Sequence, residues 1–309
     1  MTVRFTFSCM IMAVLGILSG TTLRAQDTLA TADTIKHWKK KLDLGVNVNQ
    51  ASFSSNWTGG GVNSIGLNVL FNYTARYSRG KHSWDNVIGL QYGFVKNEGQ
   101  GFRKTLDRIF LDSKYGYALS EHWSLFTSLN FQSQFAPGYS YATDPGGVET
   151  ASLISDLFAP AYITSSWGIE YRRGDYFWLR ASPFSPRVTI VRDPERFITT
   201  VGPNPFGVTP PDDTRIEWLA LQFVAEYNRD VAENLNLKWR YTMFANYETL
   251  EFDKVDHRLE VSLLAKVNKF INVGLGGILL YDYDQVEEIQ LSQLFTLGFA
   301  YKFQNYTDQ

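Results

Sequence analysis

Apolar and polar residues alternate along most of the chain, and the alternation is clearest in residues 294–303. Five apolar or aromatic residues occupy every second position of this segment, namely Phe295, Leu297, Phe299, Tyr301 and Phe303. A period of two places successive side chains on opposite faces of a β-strand. The segment therefore predicts a strand with one apolar face and one face of small or polar residues.

The same alternation recurs in eleven further segments that precede this one. We predict strands at residues 42–53, 62–77, 83–95, 103–118, 122–134, 161–171, 175–191, 215–228, 234–247, 255–267 and 271–283. Pro183 and Pro186 interrupt the seventh segment, and proline cannot donate to a β-ladder. We therefore expect a kink or a break in that strand, and about twelve strands in total.

The connections between these segments alternate in length. Short turns are predicted at residues 78–81, 120–121, 172–174, 229–233 and 268–269, and longer links at 54–61, 96–102, 135–160, 192–214, 248–254 and 284–290. Short turns on one side and longer loops on the other are typical of barrels that span the bacterial outer membrane. A soluble β-sandwich gives no reason for this alternation.

The predicted fold class is therefore all-β, a closed antiparallel transmembrane β-barrel with short periplasmic turns and longer external loops. Closure requires the first and last strands to pair, so residues 42–48 and 294–303 should be neighbours. Within the long link, residues 150–158 carry an apolar cluster and are the one candidate for a helix.

Composition agrees with a barrel but does not prove one. The chain has 309 residues and is 44% hydrophobic, yet its mean hydropathy is −0.19. A bundle of membrane helices would need apolar runs of ~20 residues, whereas lipid-facing and lumen-facing residues of a barrel alternate and cancel. Aromatic residues make up 15% of the chain, as barrel girdles require, although an aromatic-rich soluble sandwich would match this value too.

The N-terminus has the features of a secretory signal. Arg4 precedes a mostly apolar stretch at residues 5–18, and Ala25 supplies the small residue of a cleavage site. We predict a signal peptide at 1–25, a periplasmic N-terminal segment at 26–41, an outer-membrane barrel at 42–303 and a periplasmic tail at 304–309.

The predicted mature chain carries no cysteine, because Cys9 lies in the signal peptide, so disulfides and thiol chemistry are not expected. Removing Arg4 and Arg24 leaves 27 of the 29 basic residues against 31 acidic ones. This slight acidic excess does not favour nucleic acid as a partner.

Charged residues of both signs share the predicted inward faces of the strands. They are Asp85, Arg108, Asp112, Lys114, Glu170, Glu226, Lys238, Arg240, Asp256, Arg258, Glu260, Lys266, Asp282 and Lys302. Such side chains either line a narrow aqueous path and set its selectivity or pair across the interior and fill it. The near balance of signs favours pairing, and twelve strands give a bore between filled eight-stranded and open sixteen-stranded barrels.

The sequence therefore predicts a structural or binding subunit or a narrow-lumen channel with a charge-paired interior. Porin-like passive transport of small hydrophilic or amphipathic solutes is the alternative. A lipid-modifying enzyme is less favoured. Such an enzyme would need a serine beside a histidine, and the residues flanking His257 on its face are Val255 and Leu259. No catalytic residue, cofactor or metal site is predicted.

Several local strings resemble a known family. They are Asn56-Trp57-Thr58-Gly59-Gly60, Trp84-Asp85-Asn86, Arg103-Lys104-Thr105, Asp107-Arg108, Lys114-Tyr115-Gly116-Tyr117 and Gln134-Phe135. Together they resemble the exported outer-membrane barrels of diderm bacteria catalogued as domain of unknown function 3078. The resemblance runs from about residue 40 to 303 and is strongest over 56–135. It implies a barrel fold and an outer-membrane location, but no active site.

This reading also implies partners. Outer-membrane lipid would surround the barrel, and the barrel-assembly machinery would recognise the last strand through Phe299, Tyr301 and Phe303. If the protein is instead a binding module, the loops 135–160 and 192–214 would dock another outer-membrane protein or a glycan.

Overall fold

The computed structural model describes residues 37–52, 62–268 and 271–304. The predicted signal peptide and residues 53–61 of the first long link lie outside these ranges. Within them, no helix has the length and apolar character needed to span a membrane.

The described chain is built from sixteen β-strands and three 3-10 turns. The strands are β1 Trp38–Ala51, β2 Ser64–Arg79, β3 His82–Asn97, β4 Phe102–Ala118, β5 Trp123–Ser133, β6 Gly138–Thr143, β7 Glu149–Ser155, β8 Ala161–Arg173, β9 Phe177–Phe184, β10 Arg187–Ile190, β11 Thr214–Glu217, β12 Ala220–Ala232, β13 Leu235–Asn246, β14 Asp256–Lys266, β15 Ile271–Asp282 and β16 Val286–Gln304. The 3-10 turns are η1 Pro194–Phe197, η2 Pro205–Gly207 and η3 Phe252–Lys254.

The sheet closes on itself as an antiparallel barrel. The first strand pairs with the last, so that Leu42 lies opposite Phe303 and Val46 opposite Phe299. This confirms the closed barrel and the predicted neighbourhood of residues 42–48 and 294–303. Closure pairs the backbone groups of both terminal strands and leaves no free edge.

Twelve strand positions form the wall, because two of them are each occupied by two short strands. β8 pairs with β9 over its second half and with β10 over its first half. β9 pairs with β12 while β10 pairs with β11. The break between β9 and β10 contains Pro186, and Pro183 lies near the end of β9, so the strand is interrupted where the missing donors predicted it.

Two predicted long links are shorter than expected. β3 and β4 extend towards each other and leave four residues at 98–101, and β15 and β16 leave three at 283–285. The predicted boundaries at 96–102 and 284–290 were wrong because polar residues continue the ladder beyond the apolar alternation. The loop side of the barrel therefore mixes tight turns with long excursions.

The predicted helix at 150–158 is also wrong. Residues 149–155 form β7, which pairs with β6 in a two-stranded hairpin. The Asp144 carboxylate accepts a hydrogen bond from the Val148 amide at 2.8 Å, and Gly147 takes a φ of 83° in the turn. This tight turn and the β-branched residues of the segment favour a strand over a helix.

Burial in the barrel is the reverse of that in a soluble domain. Outward-facing Leu129 and Phe295 are 56% and 66% exposed, whereas inward-facing Lys114 and Glu170 are buried. A separate apolar core lies in the long loops and consists of Ala159, Val191, Phe197, Phe206 and Val208. The loops thus fold around their own core, and the barrel interior holds charged and polar residues together with a few aromatic rings.

Candidate functional site: the barrel interior

Buried charges gather at the level of the barrel where the short turns lie. Glu170 on β8 accepts hydrogen bonds from Lys114 Nζ at 2.7 and 2.8 Å and from Arg180 Nε at 2.8 Å. Arg172 Nε donates to the same carboxylate at 3.1 Å, and Lys114 also lies 3.0 Å from Asp85. We call these five residues the turn-side cluster.

Strand register explains how this cluster forms. Lys114 is on β4 and Glu170 on β8, and β5 lies between them. The β5 residues opposite these two are Ser128 and Ser124, whose small side chains let the long ones meet over them. Two further pairs extend the cluster, Arg76 with Asp85 at 3.0 Å and Arg180 with Asp112 at 3.6 Å.

An ion pair crosses the lumen from wall to wall. Arg108 on β4 donates to Glu260 on β14 at 3.3 Å. Five strand positions separate β4 from β14 in either direction around the barrel, so the two residues come from opposite walls. Arg258 Nε donates to the same carboxylate at 2.5 Å. We call Arg108, Glu260 and Arg258 the crossing group.

Aromatic faces support the guanidinium groups at this level. The Arg108 guanidinium lies 4.6 Å from the Phe110 ring centroid, and that of Arg240, from the facing wall, lies 5.3 Å from the same ring. A guanidinium over an aromatic face is attracted by the ring quadrupole. Arg240 and Lys238 each lie 3.7 Å from Glu226.

The loop-side mouth is bridged by the turn at residues 283–285. Asp284 accepts from Arg215 on β11 at 2.7 Å, and Gln285 donates to Tyr162 on β8 at 3.4 Å. This turn connects β15 and β16, whereas β8 lies on the far side of the barrel. The turn therefore bends inward over the lumen.

Between the mouth and the turn-side cluster lies a cavity of about 150 Å³. Its charged lining residues are Arg108, Asp112, Arg180, Arg187, Arg240, Asp256, Arg258, Glu260 and Asp282. Phe110, Phe126, Tyr162 and Phe244 add aromatic faces. The cavity can hold a small molecule that offers both charged and apolar surface.

The structure brings most of the charges predicted to face inward into contact with other charges. Asp85, Asp112, Lys114 and Glu170 lie in or beside the turn-side cluster. Arg108, Arg258 and Glu260 form the crossing group, Glu226 lies beside Lys238 and Arg240, and Asp256 pairs with Arg187 at 3.0 Å.

Three of the predicted charges do not join these contacts. Asp282 accepts hydrogen bonds from Gln285 and from the Asp284 amide but forms no ion pair with a described residue. Lys266 is exposed and forms no ion pair within the described part of the chain. The side chain of Lys302 lies outside the described residues.

Sequence reasoning missed Arg172, Arg180 and Arg187. In β9 the large aromatic residue Trp178 lies on the same inward face as Arg180. Apolar residues therefore occur on both faces of this strand, and the sequence pattern does not show which face points inward. Arg187 follows the proline break, where the register restarts. The pairing with β8 identifies Arg180 and Arg187 as inward-facing, since Arg180 lies opposite Glu170 and Arg187 opposite Thr164.

The outward face carries aromatic rings at the level of the short turns. Ring centroids of neighbouring residues lie 5.1 to 6.5 Å apart in this row. Its members are Trp38, Tyr77, Trp84, Trp123, Tyr171, Phe177, Tyr227 and Trp239. In the last strand, Phe299 and Phe303 are 66% and 59% exposed on this face, and the side chain of Tyr301 lies outside the described residues.

His257 has the surroundings of an interfacial aromatic residue. Its Nδ1 lies 2.8 Å from the Tyr241 hydroxyl, and the two rings stack with centroids 6.1 Å apart. A tyrosine neighbour does not provide the serine nucleophile of a lipid hydrolase. Among the described residues, no group of three His, Cys, Asp or Glu side chains is placed to hold a metal ion.

The fold is that of a closed twelve-stranded antiparallel barrel with an apolar outside and a charged inside. Over residues 48–139 the sequence matches the family model described as Protein of unknown function (DUF3078), which confirms the resemblance inferred from the sequence. A search of curated proteins finds no match to the sequence.

Solved outer-membrane structures resemble the chain in fold. An outer-membrane channel from Pseudomonas putida F1 aligns with a TM-score of 0.38 and 10% identity, covering 89% of this chain and 100% of that one. The translocator domain of the autotransporter NalP from Neisseria meningitidis aligns with a TM-score of 0.37 and 8% identity, covering 96% of each chain.

Proposed function

We propose that the protein is an integral outer-membrane β-barrel with a narrow, charge-paired lumen that does not act as an open pore. The observation that carries this proposal is the crossing group, in which Arg108 and Glu260 meet at 3.3 Å from opposite walls. Beneath it, Lys114 and Glu170 are 1% and 2% exposed. Side chains that pair across a lumen occupy the space through which solutes would pass.

The outward face supports insertion in the outer membrane. Leu129, Leu275 and Phe295 expose more than half of their surface, which is costly in water and favourable in lipid. The aromatic row at the turn level matches the girdle that such barrels place at the membrane interface. A last strand with Phe299 and Phe303 on this face is the element we assign to recognition by the barrel-assembly machinery.

Single-channel recording in planar bilayers tests the closed lumen. We expect purified wild-type protein to show little or no steady conductance, and the double variant Arg108→Ser/Glu260→Ser to conduct measurably, because both arms of the crossing pair are shortened while the net charge of the lumen stays the same. Lys266→Ser is the matched control, since it removes an exposed charge of the same predicted face. A large, stable wild-type conductance would support porin-like passage of small solutes instead.

The loops 135–160 and 192–214 support a second role, docking of another outer-membrane protein. Their shared apolar core and the β6–β7 hairpin make a defined surface, on which Val148 and Ile198 are 61% and 40% exposed. Native pull-down with mass spectrometry should recover a partner with wild-type protein and lose it with Val148→Asp/Ile198→Asp. A barrel that is recovered alone in both cases contradicts docking.

A further inference from the structure

The two ends of the lumen cavity differ in charge. At its inner end, three guanidinium groups, those of Arg108, Arg240 and Arg258, lie near the lining carboxylate of Glu260, which pairs with Arg108 and Arg258 but not with Arg240. At its outer end, the lining carboxylates of Asp256 and Asp282 lie near a single guanidinium, that of Arg187. The inner end is therefore cationic and the outer end anionic.

The inner end retains unused hydrogen-bond donors. Arg108 Nε is buried and donates to no described residue. The shortest ion pair of Arg240 is 3.7 Å long, to Glu226, which exceeds hydrogen-bond length. A buried donor without an acceptor is costly unless something binds to it. These guanidinium groups can bind an oxyanion that enters the cavity.

The outer end retains an unused acceptor. Asp282 is 9% exposed, and it accepts from Gln285 Nε2 at 2.6 Å and from the Asp284 amide at 3.1 Å. It forms no ion pair with any residue that the structure describes, whereas Asp256 is paired with Arg187. A buried carboxylate without a cation is a favourable site for an ammonium group.

The strand register gives the backbone spacing between Asp282 and Arg258, the inner-end arginine nearest the mouth. Arg258 lies opposite Leu280 in the β14–β15 ladder, and Asp282 lies two residues further towards the mouth. Two residues of a β-strand span about 7 Å. An extended chain of about four methylene groups places a carboxylate and an ammonium at roughly this separation.

We propose that the cavity binds a small zwitterion, with its carboxylate on Arg108, Arg240 and Arg258 and its ammonium group on Asp282. The cavity volume of about 150 Å³ limits the ligand to one short chain. Phe110 and Phe244 line the space between the two ends and accommodate methylene groups. This inference rests on the narrow lumen proposed above, because an open pore would not enclose the ligand.

Titration calorimetry on the full barrel in detergent tests the site with three matched probes. 5-Aminopentanoate carries both charges, pentanoate lacks the ammonium group and pentylamine lacks the carboxylate. We expect 5-aminopentanoate to bind at least tenfold more tightly than either of the others. Equal binding of the three, or no binding of 5-aminopentanoate in the millimolar range, would overturn the proposal.

Two variants separate the two ends. Asp282→Asn should abolish the preference for 5-aminopentanoate over pentanoate. Arg240→Gln should abolish the preference for 5-aminopentanoate over pentylamine. The control Lys266→Gln should leave both preferences unchanged. Retained preferences in folded variants would contradict the assignment. If a variant does not fold, the wild-type comparison decides alone. A barrel that conducts yet shows the preference contradicts only the closed lumen, and a sealed barrel without the preference contradicts only the zwitterion site.

Discussion

At the residue scale, Glu170 holds the turn-side cluster together. One carboxylate serves three cationic side chains, on β4, β8 and β9, so it ties β4 to β8 across the intervening strand β5 and adds to the direct ladder between β8 and β9. Breaking a buried ion pair by removing one partner leaves uncompensated charge, which is more costly than the net gain from the intact pair.

We therefore expect Glu170→Gln to destabilise the barrel by roughly 3 kcal/mol, the lower end of the range for a broken buried pair. The measurement is thermal unfolding in detergent, followed by the heat-dependent change in gel mobility or by circular dichroism. Glu121→Gln, in the exposed turn between β4 and β5, is the control and should leave the transition unchanged. Equal transitions for the two variants would show that the cluster does not stabilise the fold.

The candidate site was predictable only in part at this scale. Parity alone placed Asp85, Lys114 and Glu170 on the inward face, because alternation is a local property of each strand. Which charges form contacts depends on the register between strands and on the curvature of the wall. Neither property can be inferred from the sequence of a single strand. Arg108 and Glu260 are 152 residues apart in the chain, so their contact could not be read from spacing.

At the element scale, the break between β9 and β10 shows why this wall can bend. The register between β8 and β9 shifts between Trp167 and Ile169, so β9 carries an extra residue there. Gly168 lies between these two residues, and a Cβ on it would collide with the backbone carbonyl of Ala181. The prolines were predictable from their chemistry, whereas the glycine opposite the bulge became meaningful only with the register.

Gly168→Ala should therefore lower the yield of folded barrel and its stability by roughly 1 to 3 kcal/mol, the cost of forcing atoms into a filled space. Backbone must move to accept the methyl group, because the colliding atoms are not in a flexible side chain. Gly277→Ala is the matched control, another strand glycine, but with no atom within 4 Å of the added Cβ. Urea unfolding of the refolded variants distinguishes them, and unchanged stability of Gly168→Ala would rule out the close approach.

At the scale of the whole molecule, the barrel could be predicted from the sequence because every strand shows the same alternation of apolar and polar residues. Each strand alternates, the number of strand positions is even, and short turns separate pairs of strands, so independent local observations agree. The interior did not follow in the same way. The narrow lumen results from pairs between opposite walls and from a turn at 283–285 that bends inward, and the sequence placed a longer loop at that turn.

Closure between β1 and β16 is the property on which every statement about the lumen depends, and cross-linking tests it directly. Val46 and Phe299 face each other across the seam, and both are exposed on the outer face. Directly opposite residues of antiparallel strands have Cα atoms ~4.5–5.5 Å apart, within the range that a disulfide can span. Val46→Cys/Phe299→Cys should therefore form an intramolecular disulfide under mild oxidation, seen as a mobility shift that reductant reverses.

In the control Val46→Cys/Phe295→Cys the second cysteine is displaced by four residues, about 13 Å along the strand, so no cross-link should form. Equal cross-linking in both variants would show that the two strands are not fixed in this register, and the absence of a cross-link in the first would leave the cylinder open at its seam.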